Sequence, residues 1–276
     1  MRELEIYYSA LFFRAEKKDK YRKRILLAVL ALLIASFYFS QKILFILSAT
    51  AFILQIISMF INASSKSDRS LANRFQKIFM LTKAFGIDLA DKNEISTLKI
   101  NAGNKMDKEV TEKLKSKNNE SNITNPIHHD KVMALLLMVQ ENSFWNDNLY
   151  KLSYRKSKAV IILSVLLIIT AAIFMMIILK PDPNYTLLRL TFAILSFGIV
   201  GEFVDTMLKY KNSSERMKEL DNRISGIRTP NIEMALDIFS SYHLIKSITP
   251  SIPKRIYSQH NQMLNNAWES RKDINT

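Results

Sequence analysis

Four apolar runs alternate with polar, basic segments along the chain. Ile25–Phe39 (ILLAVLALLIASFYF) and Ile43–Ile61 form a first pair, interrupted by Ser40, Gln41 and Lys42. Ala159–Leu179 and a run from about Tyr185 to Val204 form a second pair, separated by Lys-Pro-Asp-Pro at 180–183. A hydrocarbon core of roughly 30 Å needs about 20 apolar residues per helix. The third run satisfies this outright, with 21 uncharged positions. The first is short, and recruits Tyr21 and the stems of Arg22, Lys23 and Arg24, which can snorkel. The pattern predicts an all-α membrane protein with four transmembrane helices, arranged as two duplicated helical hairpins with cytoplasmic helical extensions. The spans fall at about 22–40, 43–62, 159–179 and 185–204. The alternative reading is a pair of buried hairpins in a soluble helical protein.

Between and after the runs the spacing becomes that of amphipathic helices. Leu71, Phe75, Phe79 and Phe85 mark one stripe in 67–95. Met133, Leu136, Leu137, Val139, Phe144, Leu149 and Leu152 mark a long helix feeding the third run. Leu208, Tyr210, Met217, Leu220 and Ile224 mark another, broken after Gly226 and Pro230, with two shorter helices expected at about 231–247 and 254–270. The Asn/Lys-rich stretch 101–126 has little apolar content, which suits a solvated helix or mobile linker. These readings divide the chain into 1–95, a linker at 96–126, a second unit at 127–226 and a C-terminal cytoplasmic region at 227–276.

Charge orients the hairpins. Eight basic residues lie in 1–24, 17 between the second and third runs and 11 after the fourth, whereas each hairpin tip carries one, Lys42 or Lys180. By the positive-inside rule both termini and the central segment are cytoplasmic. A net charge of +14 beside 48% hydrophobic residues fits this segregation. With no Cys in the chain there is no disulfide framework, thiolate metal site or cysteine nucleophile.

The two halves also share local wording. Tyr21-Arg22-Lys23 precedes the first run and Tyr154-Arg155-Lys156 the third. SSKSDRSLANRF (64–75) follows the second run and SSERMKELDNRI (213–224) the fourth. Two landmarks per copy indicate a duplicated unit with a parallel, not inverted, relation.

Candidate chemistry is sparse. No phosphate loop, His-Glu-x-x-His or nucleophile elbow is present, and no cofactor or enzymatic activity is expected. His128-His129-Asp130 with His243 is read as a surface or structural group, because adjacent histidines diverge on a helix. Gln140, Asn142, Trp145, Asn146 and Asp147 form a polar patch around one large aromatic. A nucleotide could stack on Trp145 and bond to the amides, with Arg155 and Lys156 near its phosphates. The same residues could instead make a helix cap or inter-helix contact. In the second run Ser48, Gln55, Ser58 and Asn62 fall on one arc of about 80°. That face must turn from lipid, toward helix contacts or an aqueous path. Glu202 and Asp205 share a face at the cytoplasmic end of the fourth run. They could form a cation-attracting ring in an oligomer, reach interfacial water or pair with Lys209.

The duplicated two-helix unit resembles the SLATT superfamily, whose four-span members are proposed pore-forming effectors of bacterial nucleotide-dependent (CBASS-like) defence. Gln140-Glu141-Asn142-Ser143-Phe144-Trp145-Asn146-Asp147-Asn148-Leu149 is similar to the family's Gln…Asn-x-x-Trp-Asp-x-x-Leu segment, with Asn146 where Asp is expected. Pro250-Ser-Ile-Pro253-Lys-Arg-Ile-Tyr257 is similar to its Pro-x-x-Pro…Tyr segment. The resemblance implies a homo-oligomeric effector that permeabilises the host's own bilayer in antiphage abortive defence. It also implies a candidate cyclic (oligo)nucleotide trigger made by a partner cyclase. DNA and RNA are not expected partners. The alternative is a non-conducting anchor or signalling scaffold that recruits a cytoplasmic partner.

Overall fold

The computed structural model describes residues 1–35, 41–86, 91–115, 130–178 and 186–275. Both hairpin turns, residues 116–126 of the expected linker, His128 and His129 lie outside them, as do the side chains of 186–197, Arg189 among them. Eight helices carry the described residues, in the order α1 (Arg2–Ala35), α2 (Gln41–Phe85), α3 (Lys92–Ala102), α4 (Asn104–Lys115), α5 (Lys131–Ile178), α6 (Thr186–Ser225), α7 (Ile232–Ile248) and α8 (Lys254–Asn275). There is no strand among the described residues.

Helices α1, α2 and α5 contain neither Gly nor Pro, so nothing in their sequences breaks the backbone ladder. The second apolar run and the Leu71/Phe75/Phe79 stripe are therefore one continuous 45-residue helix. At 1.5 Å per residue it is about 67 Å long, more than twice a hydrocarbon core. Gly86, with φ +69°, ends α2 by taking a left-handed conformation and bonding its amide to the Thr82 carbonyl at 2.9 Å. Asn231 caps α7 by accepting from the Met234 amide at 2.8 Å.

The chain divides into two compact units. The first comprises 1–16, 66–153 and 209–276. The second comprises 17–65 and 154–208. Each of α1, α2, α5 and α6 contributes to both.

In the second unit one apolar cluster draws on four helices. Leu26, Val29, Leu30 and Leu33 of α1, Ala51 of α2, and Ile199 and Phe203 of α6 are buried, with Ile161 and Ile168 of α5 packed against them. Much of the remaining apolar surface among the described residues is exposed. Phe45, Ile46, Phe52, Met59 and Phe60 of α2 and Ile162, Leu163, Leu166 and Ile173 of α5 are exposed. Among the described residues, one stretch, Phe45–Phe85, is long and apolar enough to cross a membrane, and only 11% of its apolar window is buried. That low burial separates it from the core helix of a soluble protein, which would bury its apolar surface.

The first unit has a conventional core. Tyr7 of α1 stacks on Phe75 of α2 at 4.8 Å, and Tyr8 meets Phe79 at 5.5 Å. Ala235, Ile238, Phe239, Tyr242 and Ile245 line the buried side of α7. Much of the expected linker is packed structure. In α3 and α4, Leu98, Ala102, Met106 and Val110 recur every fourth residue and are buried. Three polar contacts bind these helices to α1: Lys99 with Glu3 at 2.5 Å, Arg14 with the Ala102 carbonyl at 3.1 Å, and the Tyr7 hydroxyl with Asp107.

The two copies of the repeated sentence agree in one bond. The second serine of each pair is buried and donates at 2.6 Å to an aspartate on the preceding long helix, Ser65 to Asp19 and Ser214 to Asp147. They differ at the shared asparagine. Asn73 is buried, whereas Asn222 is exposed.

Candidate functional site

Two places gather polar side chains that packing alone does not require. The first is the short connection between α7 and α8, residues 249–253. Pro250 and Pro253 remove two amide donors and prevent either helix from running through. Several of its remaining polar groups are taken by other helices, although Ser251 Oγ is buried without a partner. Arg69 of α2 donates from Nη1 to the Thr249 carbonyl at 2.8 Å, and Tyr210 of α6 donates to the Ser251 carbonyl at 2.6 Å. The Thr249 hydroxyl bonds to Ser213 of α6 at 2.6 Å, and the Lys254 amide donates to Glu16 of α1 at 3.0 Å. Tyr257, at the start of α8, lies with its ring centroid 5.9 Å from Trp145 of α5. Segments of all four long helices thus meet the connection and the first turn of α8.

The patch predicted around Trp145 is the α5 wall of this hub. Trp145 and Phe144 pack against the buried Leu149, Ile256 and Leu264. Gln140 donates to Ser225 at 2.8 Å and Asn146 to the Tyr242 hydroxyl at 3.4 Å. Asp147 accepts from Ser214 and from Lys151, both at 2.6 Å. Asn142 bonds to its own helix, at the Met138 carbonyl, 2.8 Å away. Arg155 and Lys156 belong to the second unit and are exposed. The amides that would read a nucleotide are largely engaged, and the ring that would stack on one already meets Tyr257. Trp145→Ala should accordingly lower the unfolding free energy of the purified protein by about 2–3 kcal/mol, less than the 3–5 of a fully buried Trp. An unchanged melting temperature would show that the ring bears no packing load.

Deeper in the same unit lies a buried polar seam of α2, α5 and α7. Burial pushes the Tyr150 and Tyr242 phenols up, so both stay neutral, with the Thr249 hydrogen bond to Tyr150 and the Asn146 bond to Tyr242 drawing them partly back. Lys246 bonds to Gln76 at 2.5 Å and lies 4.4 Å from the Phe12 ring; desolvation lowers its pKa to about 7. His243 sits 4.5 Å from the Phe239 ring and 5.0 Å from Tyr242, with both nitrogens buried and unbonded. Its burial, with Lys246 and Lys77 adding to the effect, pushes its pKa down to about 3.

The sign of the resulting pH dependence is fixed. The unfolded chain protonates this imidazole near pH 6.5 and the folded chain does not, so stability falls as pH drops below about 6.5. Carboxylates add their own titration only below about pH 5. The melting temperature should therefore decline between pH 6.5 and 5 in the wild type and stay nearly level in His243→Phe. Equal slopes for both would contradict the assignment. His243 belongs to no cluster of three or more metal-ligating side chains among the described residues.

The second place is the predicted polar stripe of α2 in the second unit. It turns inward. Ser58 is fully buried, and Ser48 Oγ, Gln55 Oε1 and Ser58 Oγ are all enclosed with no hydrogen-bond partner. Asn62 continues the stripe, half-buried. A buried polar atom left unbonded costs about 1–3 kcal/mol. Three along one helix face are a standing penalty that apolar residues of similar size would avoid. Glu202 is ion-paired with Arg22 of α1 at 3.2 Å rather than with Lys209, and Asp205 is exposed.

Nothing in the local sequence singled out the hub, whose bonds join residues as far apart as Arg69 and Thr249, 180 positions. The Pro-x-x-Pro segment was the one available signal, because paired prolines mark a fixed, donor-poor turn. Comparison with protein-family models, with curated proteins and with solved structures finds no match to this chain.

Proposed function

We propose that the chain is a multi-pass effector of the bacterial inner membrane, non-enzymatic, with four membrane-spanning helices and both termini cytoplasmic. In this reading the described conformation is a closed state. On triggering, chains assemble as a homo-oligomer, the bundle of the second unit loosens, and the bilayer becomes permeable. The observation that carries the proposal is the enclosed stripe of Ser48, Gln55 and Ser58, whose polar atoms have no protein partner. Water entering along that face would satisfy all three groups, so the sequence favours hydration there over the closed packing around it. Four helices alone enclose little beyond side chains, which is why conduction requires assembly.

The remaining support is of two kinds. The exposed apolar faces of α2 and α5 suit contact with lipid. The likeness to SLATT effectors supplies the biological setting, abortive antiphage defence with a nucleotide messenger from a partner cyclase as trigger. In that setting the α7–α8 hub is the restraint, since it ties together segments of all four long helices. Induced expression is the direct test: loss of membrane potential in cells and dye efflux from liposomes are expected. Intact potential and tight liposomes with the assembled protein would overturn the proposal.

A second reading has one observation in its favour. Leu236, Leu244 and Ile248 project from the outer side of α7, a surface suited to recruiting a partner. It makes the protein a non-conducting anchor, and the same efflux assay separates the two.

A further inference from the structure

We propose that the first unit holds an anion-binding site at Arg69 and Asn73 of α2, built for a phosphate-type oxyanion. Arg69 is buried, and its one hydrogen bond is to the Thr249 carbonyl; its Nε has no partner. A buried guanidinium ordinarily has a carboxylate beside it, because the desolvated charge is otherwise uncompensated. Among the described residues none pairs with it. The acidic neighbours are committed elsewhere, Asp68 to Arg14 in two bonds and Asp147 to Ser214 and Lys151. The nearby Tyr150 phenol is held neutral by burial.

Asn73 lies one helical turn beyond Arg69, on the same face. It is 7% exposed, and both its amide nitrogen and its amide oxygen are without partners. Such an amide forfeits two bonds at once, and a guanidinium fork beside it forfeits its ion pair. One ligand repairs both: an oxyanion accepting from Arg69 Nε in charge-assisted geometry and from Asn73 Nδ2. A second basic group stands on the facing helix, where the Lys246 amine has Gln76 as its hydrogen-bond partner and the rings of Phe12 and Tyr242 around it. Gln76 is two turns along α2 from Arg69, so this second basic group lies along the same seam. The ligand is therefore an anion, and donors of this geometry suit a phosphoryl group. This inference stands whether or not the second unit conducts.

A free phosphate compound and an anionic lipid headgroup share that chemistry. The full chain, purified in uncharged detergent, should gain thermal stability with inorganic phosphate or pyrophosphate at constant ionic strength, with chloride as the control. Arg69→Lys keeps the charge but loses the fork, and should weaken the apparent affinity by about tenfold or more. Asn73→Leu should weaken it to a similar degree. Arg69→Met should abolish the response while raising the melting temperature without phosphate, because it removes a buried uncompensated charge. In nanodiscs, phosphatidylglycerol should suppress the phosphate response relative to phosphatidylcholine alone if the natural occupant is a lipid. If the occupant is soluble, the two lipids give the same response. The site is disproved if the wild type responds to neither phosphate nor phosphatidylglycerol. It is equally disproved if Arg69→Lys and Asn73→Leu both respond as the wild type does.

Discussion

Replacing Gln55 by Leu is expected to silence the protein while making it more stable. The amide oxygen of Gln55 is enclosed in the second unit with no partner. Leucine fills nearly the same space without a group to satisfy, so the closed bundle gains about 1–3 kcal/mol. The open, wetted state gains nothing and loses a polar contact with water. A bias of this size moves a two-state equilibrium by roughly 5–150-fold, and leakage should fall by that factor at unchanged membrane levels. Gln55→Glu works in the opposite sense. A carboxylate held at a dry mid-helix position costs about 2.5–3.5 kcal/mol on insertion scales. On a wet path the same carboxylate is tolerated and draws cations. Gln55→Glu should therefore loosen the closed bundle and shift leakage toward cations. Full toxicity in the Leu variant, or unchanged ion preference in the Glu variant, would remove Gln55 from any conducting path.

The second large effect is expected at the hub. Asp147 holds Ser214 with one oxygen and Lys151 with the other, and Ser213, next in the chain, bonds to Thr249. Asp147→Ala leaves the buried Ser214 hydroxyl with only a long, 3.3 Å contact to the residue-147 carbonyl. Hydrogen bonds to charged groups contribute about 1.5–3 kcal/mol, and the exposed Lys151 arm adds little because water screens it. Unfolding free energy should drop by that amount in Asp147→Ala and by less in Asp147→Asn, whose amide oxygen still accepts from Ser214. If the hub restrains the second unit, Asp147→Ala should also leak at expression levels where the wild type is silent. A destabilised variant that never leaks would separate the hub from the control of permeability.

The helices were legible because their periodicity is long and uninterrupted; α5 was expected as one helix entering the third apolar run and is one helix. The α2 stripe was legible for the same reason, since four polar residues on one arc stand out in an otherwise apolar segment. Its turn away from lipid was legible too; what it meets there was not, and the packing of α1, α5 and α6 encloses Ser58. The stretch 101–126 was read as a solvated helix or mobile linker; in the described residues Leu98, Ala102, Met106 and Val110 make a narrow buried stripe, with Glu3, Tyr7 and Arg14 of α1 as polar partners. The Trp145 segment was noticed for the right residues, yet their engagement with Ser214, Ser225, Tyr242 and Tyr257 depends on contacts 67 to 112 positions away, which no local pattern encodes. Asn73 and Asn222 make the point most simply. They occupy the same place in a repeated phrase, and only the fold decides that one is buried and the other is not.

The central claim, that the inward stripe of α2 becomes wet when the protein acts, can be read with a single thiol. The chain contains no cysteine, so Gln55→Cys introduces a unique probe, and Phe60→Cys, at an exposed position of the same helix, serves as the lipid-facing control. Water ionises a thiol and lipid does not, so a charged methanethiosulfonate reagent modifies only the hydrated site. Cells whose membrane potential has collapsed on expression should show rapid modification at position 55 and none at position 60. Collapse of the potential with position 55 still unmodified would contradict the account.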